Sequence, residues 1–158
     1  EIEEAGADLG YRWYGARALM SMRLEKAWGV WTLDFRPDFT AAESGMDVFI
    51  NWKKDFVGKA ATEAMKTAGV TRKLVTLTID TPIDVTLDEA VLKDGVAVGY
   101  ITSGGYAHSV QKSMAMAYVS SEHSAAGTSL DVEILGEMYK AEVQGQPLYD
   151  PTGAKMRG

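Results

Sequence analysis

Between Met22 and Ala61 the chain gathers side chains whose types and spacing could do chemistry. Glu25 stands beside Arg23 and Lys26, and Asp34 precedes Arg36 and Asp38. Carboxylates in such company can orient an amine, or accept hydrogen bonds from the exocyclic N–H groups of a pterin. The competing reading makes the same residues structural ion pairs that join a helix to a loop. Trp28, Trp31 and Trp52 offer rigid faces that either stack on a flat heterocycle or close a contact between domains. Tyr106 follows a double glycine on a turn, where binding residues concentrate and where exposure to water is equally natural.

Other chemistries lack their residues. His108 and His123 have no His or Cys neighbour at ligand spacing, and a zinc site needs several such ligands. Ser109 and Ser113 lack the Gly-flanked elbow of a hydrolytic nucleophile. The glycines from Gly99 to Gly105 lie between strands and open no helix, so they make neither a phosphate loop nor a nicotinamide or flavin fingerprint. A net charge of −6 argues against a nucleic-acid surface. Lys53–Lys54 and Arg72–Lys73 read as solvated pairs bordering structured elements.

These side chains must be positioned by two stretches of different texture. In residues 1–70 the apolar spacing is helical. A helix is expected from Arg17 to Lys26, ended or bent by Gly29. The Arg36-Pro37-Asp38 step forces a turn. Thr40 and Glu43 have the spacing of a capping box and predict a helix start, and Lys59–Thr67 predicts a further helix closed by Gly69. After Gly69 the period changes to two. Strands are expected over Lys73–Ile79, Val96–Thr102, Ser113–Val119, Leu130–Leu135 and Tyr139–Val143, with a tight hairpin at Asp94-Gly95. Strands at this spacing with no helix between them indicate an antiparallel barrel or sandwich, with the boundary near Gly69–Thr71.

A chain of 158 residues can bury a core without disulfides, and it has no Cys. That fits a reducing compartment. No apolar run approaches the ~20 residues of a membrane span. Glu1–Glu4 read as the end of an earlier element, so the chain is expected to be the C-terminal part of a larger protein.

Three ordered motifs then carry a resemblance. RLEKAWGVWTLDFRPDFTAAESG (Arg23–Gly45) with KKDFVGKAA (Lys53–Ala61), GYITSGGYAHSVQKSMAMAYV (Gly99–Val119) and PLYDPTGAKMRG (Pro147–Gly158) resemble, at family spacing, the dimethylglycine and sarcosine dehydrogenase group. That group shares a folate-binding module with the T-protein of the glycine cleavage system, an aminomethyltransferase. The resemblance implies an α+β chain. Residues 1–70 would be the helix–loop end of a folate-binding domain, and residues 71–158 an aminomethyltransferase-type antiparallel β-barrel of about six strands.

By the same resemblance, an upstream FAD-dependent domain oxidises an N-methyl amine, and tetrahydrofolate captures the one-carbon unit. Arg23, Glu25, Trp31, Arg72 and Tyr106 are the expected contributors to a folate site that upstream residues of the same protein complete. The catalytic groups and any FAD contact lie outside this chain, which alone is expected to be inactive. The implied partners are the upstream part and a methylated amine or sulfonium substrate, with no nucleic acid or membrane. The expected location is cytoplasmic, or the mitochondrial matrix in a eukaryote. One position departs from T-protein: where that family carries a folate-binding Arg, this chain has Leu19, which favours the dehydrogenase branch. A cation is kept at Arg72–Lys73. Readings kept beside this one are a true T-protein, a sulfonium demethylase without flavin, and a non-catalytic barrel for interdomain or protein contacts.

Overall fold

The computed structural model describes residues 1–157, so the last residue of the PLYDPTGAKMRG motif, Gly158, lies outside the described residues. From Arg72 onward, residues of alternating character form six antiparallel strands: β1 (Arg72–Ile79), β2 (Ala90–Lys93), β3 (Val96–Ala107), β4 (Lys112–Ser120), β5 (Ser129–Ile134) and β6 (Glu137–Gln144). They close into a barrel in the order β1-β4-β3-β2-β5-β6. The barrel alternative is therefore the observed one, and closure leaves no edge strand exposed.

The period of two explains the interior. Val75, Leu77 and Ile79 of β1, Ala115, Ala117 and Val119 of β4, and Leu130, Val132 and Ile134 of β5 all belong to one buried cluster. Asp94 and Gly95 both adopt positive φ, 52° and 79°, as a tight two-residue hairpin requires. β2 is the strand on the near side of that hairpin. It is only four residues long and carries no periodic signal of its own. β3 runs five residues past the expected Thr102, to Ala107.

Strand β4 is buried on both faces, from Ser113 to Val119. Its outward methionines, Met114 and Met116, pack with Leu24 and Ala107 in a second small core. That core is the seat of a helix lying on the outside of the barrel. The helices are α1 (Ile2–Gly6), α2 (Ala16–Glu25), α3 (Lys59–Ala68) and a short C-terminal turn, α4 (Ala154–Arg157). α2 is the one that docks, burying Arg23, Leu24 and Glu25. Among the described residues, no helix is long and apolar enough to cross a membrane.

Two expectations are corrected here. Gly29 does not end α2. The helix stops at Glu25, and Ala27 takes the left-handed conformation (φ 55°) while the Trp28 N–H reaches back to the Arg23 carbonyl at 2.9 Å. Gly29 is small for another reason: a Cβ there would sit 2.5 Å from the Phe35 ring. Thr40 and Glu43 do exchange capping-box bonds, Thr40 N–H to Glu43 Oε2 at 2.7 Å and Glu43 N–H to Thr40 Oγ1 at 3.3 Å. They cap a run of turns rather than a helix, because Gly45 at φ 69° redirects the chain.

Candidate functional site

The C-terminal half of α2 places Arg23 and Glu25 on its buried side, and each is tied to a different part of the barrel. Arg23 Nη1 pairs with Asp34 Oδ2 at 2.9 Å, with the two side chains 4% and 0% exposed. The same oxygen accepts the Val30 N–H at 2.8 Å. Asp34 Oδ1 accepts the hydroxyls of Thr102 and Ser103, at 2.5 and 2.6 Å. Neighbouring strand residues normally point to opposite faces. Here a bulge between Ile101 and Ser103, opposite Ala117 and Met116 of β4, breaks that rule and lets both hydroxyls meet one carboxylate. The Tyr118 hydroxyl completes the node by donating to the Asp34 carbonyl at 3.1 Å.

Burial pushes the Arg23 guanidinium below its ordinary range, against the opposing pull of Asp34. Its Nε and Nη2 have no hydrogen-bond partner among the described residues. Unpaired buried donors of this kind cost roughly 1–3 kcal/mol each, so natural proteins seldom leave them without a ligand, water or partner segment.

Glu25 does not join the ion pair. Its Oε1 accepts the Ser109 N–H at 2.7 Å, gripping the β3–β4 hairpin. One turn earlier, Ser21 Oγ donates to the Tyr106 carbonyl at 2.8 Å and accepts the His108 N–H at 3.3 Å. α2 is thus stitched along the hairpin. The reading of the charged cluster as ion pairs joining helix to loop holds for Arg23 and Asp34, while Glu25 serves a backbone amide.

A cavity of about 310 Å³ opens beside these residues, lined by Leu19, Arg23, Glu25, Trp28, Tyr149 and Met156 among others. Its size lies at the lower end of ligand pockets, and its make-up is theirs: mostly apolar walls with a few polar groups. Leu19 is thus on the cavity wall.

The other expected contributors lie apart. Tyr106 faces the opposite side of α2, in a groove of about 380 Å³ that it shares with Arg17, Ser21 and His108. Arg72 heads β1, where it pairs with Glu43 at 2.8 Å and stands over the Phe39 ring at 4.6 Å. Trp31 is 75% exposed and lines neither space. Of the tryptophans, Trp28 is the one on the cavity wall. Asp34, Thr102 and Ser103 were missed as a unit. The only sequence signal for them is the Thr-Ser-Gly-Gly run, whose glycines mark an irregular strand.

Comparison with known proteins extends over the same residues. Residues 72–150 match the model of the glycine cleavage T-protein C-terminal barrel domain, and residues 1–54 match that of the GCVT N-terminal domain. Mitochondrial dimethylglycine dehydrogenase of Rattus norvegicus is 39% identical over 161 residues, covering 99% of this chain and 19% of that protein. An aminomethyltransferase of Picosynechococcus sp. is 35% identical over 144 residues, covering 90% of this chain and 40% of that protein. The crystal structure of glycine cleavage system aminomethyltransferase T from Bartonella henselae superposes with a TM-score of 0.86 at 25% identity, covering 95% of this chain and 43% of that one. The chain thus spans about a fifth of the length of the dehydrogenase relative.

Proposed function

Since the chain belongs to the glycine cleavage T-protein C-terminal barrel family, we propose that it closes a tetrahydrofolate site within a larger one-carbon-transfer protein. The larger protein on this reading is an FAD-linked N-methyl amine dehydrogenase of the dimethylglycine or sarcosine type. Residues 1–70 end its folate-binding domain and residues 71–158 form its closing barrel. Its location is cytoplasmic, or the mitochondrial matrix in a eukaryote.

The observation that carries the reading is the cavity beside α2, whose wall includes Arg23 and Glu25 together with the aromatic side chains of Trp28 and Tyr149, while two donors of Arg23 have no partner among the described residues. A pterin presents a carbonyl and several N–H groups on a flat ring system. Arg23 can donate to the carbonyl, Glu25 has lone pairs left for N–H groups, and the two aromatic rings can flank the heterocycle. When bound, tetrahydrofolate supplies the acceptor nitrogens for the one-carbon unit. The residues of this chain bind and orient it and keep water from its face. Tyr106 would meet a more distant part of the cofactor across α2, and Trp31 and Arg72 would contribute from surfaces that upstream residues complete. The apolar Leu19 on the cavity wall favours the dehydrogenase branch over a true T-protein.

Titration calorimetry of the complete protein with tetrahydrofolate tests this. Glu25→Gln should weaken binding at least about tenfold, the equivalent of 1.4 kcal/mol. Folate should also quench the emission of Trp28 more strongly than that of Trp31. Full affinity in Glu25→Gln, or no effect of folate on Trp28, would return both residues to packing roles.

A further inference from the structure

Beyond β6 the chain leaves the barrel and crosses the C-terminal end of α2 as a strap, Pro147 to Arg157. It has few anchors. Leu148 packs on the small core with Leu24. The Tyr149 N–H donates to the Glu25 carbonyl at 3.1 Å, satisfying one of the carbonyls that a helix end leaves open. The third anchor is Lys26, the residue after Glu25. Its Nζ donates to the Asp150 carbonyl at 2.6 Å and approaches Asp150 Oδ2 at 3.4 Å, with the two side chains 13% and 4% exposed.

Asp150 passes this anchoring on. Its Oδ1 accepts the Lys155 N–H at 3.2 Å and so fixes the turn of α4. Met156, on that turn, and Tyr149, before it, both line the cavity that holds Arg23 and Glu25. One lysine therefore holds backbone and side chain of the residue from which both outer-wall groups hang. Burial raises the affinity of the Asp150 carboxyl for a proton, but the Lys155 N–H and the Lys26 ammonium outweigh this and hold it below the usual carboxylate range.

We infer that Lys26 and Asp150 form a latch that holds the C-terminal strap as the outer wall of the cavity, making them positioning residues for whatever the cavity binds. The inference rests on the folate reading for the identity of that ligand. Lys26 itself borders the cavity, whereas Asp150 is not among its lining residues and acts only through the strap. With the latch gone, the strap loses its charged tie to α2 while the Tyr149 backbone bond and the Leu148 packing remain, and the wall opens more often. Opening of a wall acts mainly on dissociation.

The test uses the complete protein, with tetrahydrofolate as probe. In Lys26→Met, folate should dissociate at least tenfold faster, and peptides containing Tyr149 should exchange amide hydrogen faster, while peptides of β4 keep their protection. Asp150→Asn, which keeps the carbonyl that Lys26 holds, should show a smaller change in the same direction. Lys26→Arg should restore both rates. In the unaltered protein, folate should slow exchange around Tyr149. Folate binding with unchanged dissociation and exchange in Lys26→Met overturns the latch and leaves the folate reading standing. No folate binding by the unaltered protein overturns the folate reading, and with it the role of the latch in retaining that ligand.

Discussion

Asp34 ties three parts of this molecule together through one buried carboxylate. Its carboxylate accepts four hydrogen bonds, from the Val30 N–H, Arg23, Thr102 and Ser103. These join the loop after α2 to the helix itself and to the bulge in β3. Asp34→Asn keeps the shape but removes the charge opposite Arg23, and replaces an acceptor oxygen by a donor among donors. Breaking a buried pair from one side costs about 3–5 kcal/mol. Urea unfolding should show a loss of that order in midpoint stability, and a loss below about 1 kcal/mol would mean that the node is not the anchor described. Glu43 gives a milder, pH-dependent case. Its pKa is lowered: burial raises it, but the Thr40 N–H, Arg72 and the Thr40 hydroxyl together outweigh burial. A depressed carboxyl contributes stability above its unfolded pKa of roughly 4.3, and loses it as pH falls through the folded value. Glu43→Gln should therefore lower Tm at pH 7, and the difference should shrink as pH falls below the unfolded pKa and through the folded one. An equal loss across that range would contradict this.

At the scale of elements, the end of α2 separates two reasons for a small residue. Ala27 holds a left-handed backbone, φ 55°, that costs an L-residue about 1–2 kcal/mol. Gly there should stabilise by about 0.5–1 kcal/mol, once the greater freedom of Gly in the unfolded chain is subtracted. Gly29→Ala should do the reverse, since its Cβ would meet the Phe35 ring at 2.5 Å. Thermal melts of the two variants should move in opposite directions. The same spot shows what was legible in advance. The helix and its approximate end could be read from spacing, but the stopping residue could not, because Ala in a left-handed cap carries no local signature. The strand alternation around Leu77 was readable because each strand has one face in the barrel. The Thr40–Glu43 pattern was readable as hydrogen bonds and misleading as a helix. The Asp34 node was not readable at all, since Thr102 lies 68 positions away and reaches it only through a bulge.

For the whole molecule, stability should be unevenly shared, and the cavity should lie where it changes. The barrel buries the interior faces of all six strands and has no free edge, so its amides should open only by global unfolding. α2 is bound to it through Asp34, Glu25 and Ser21, and its last turn should share that protection. α1 and α3 bury no residue, and Val48, Phe49 and Val57 near α3 stand largely in solvent. Native-state hydrogen exchange on this chain should give three tiers. The slowest would contain Leu77, Ala117 and Val119. Arg23 to Glu25 should follow at nearly the same rate, and α1 and α3 should exchange orders of magnitude faster. Protection of α3 equal to that of β4 would show that the chain is one cooperative unit and would contradict this order. Early exchange of Arg23 to Glu25 would be the more serious result for function. It would mean that the inner wall of the cavity is not preorganised, and that the ordering cost falls on the ligand when it binds.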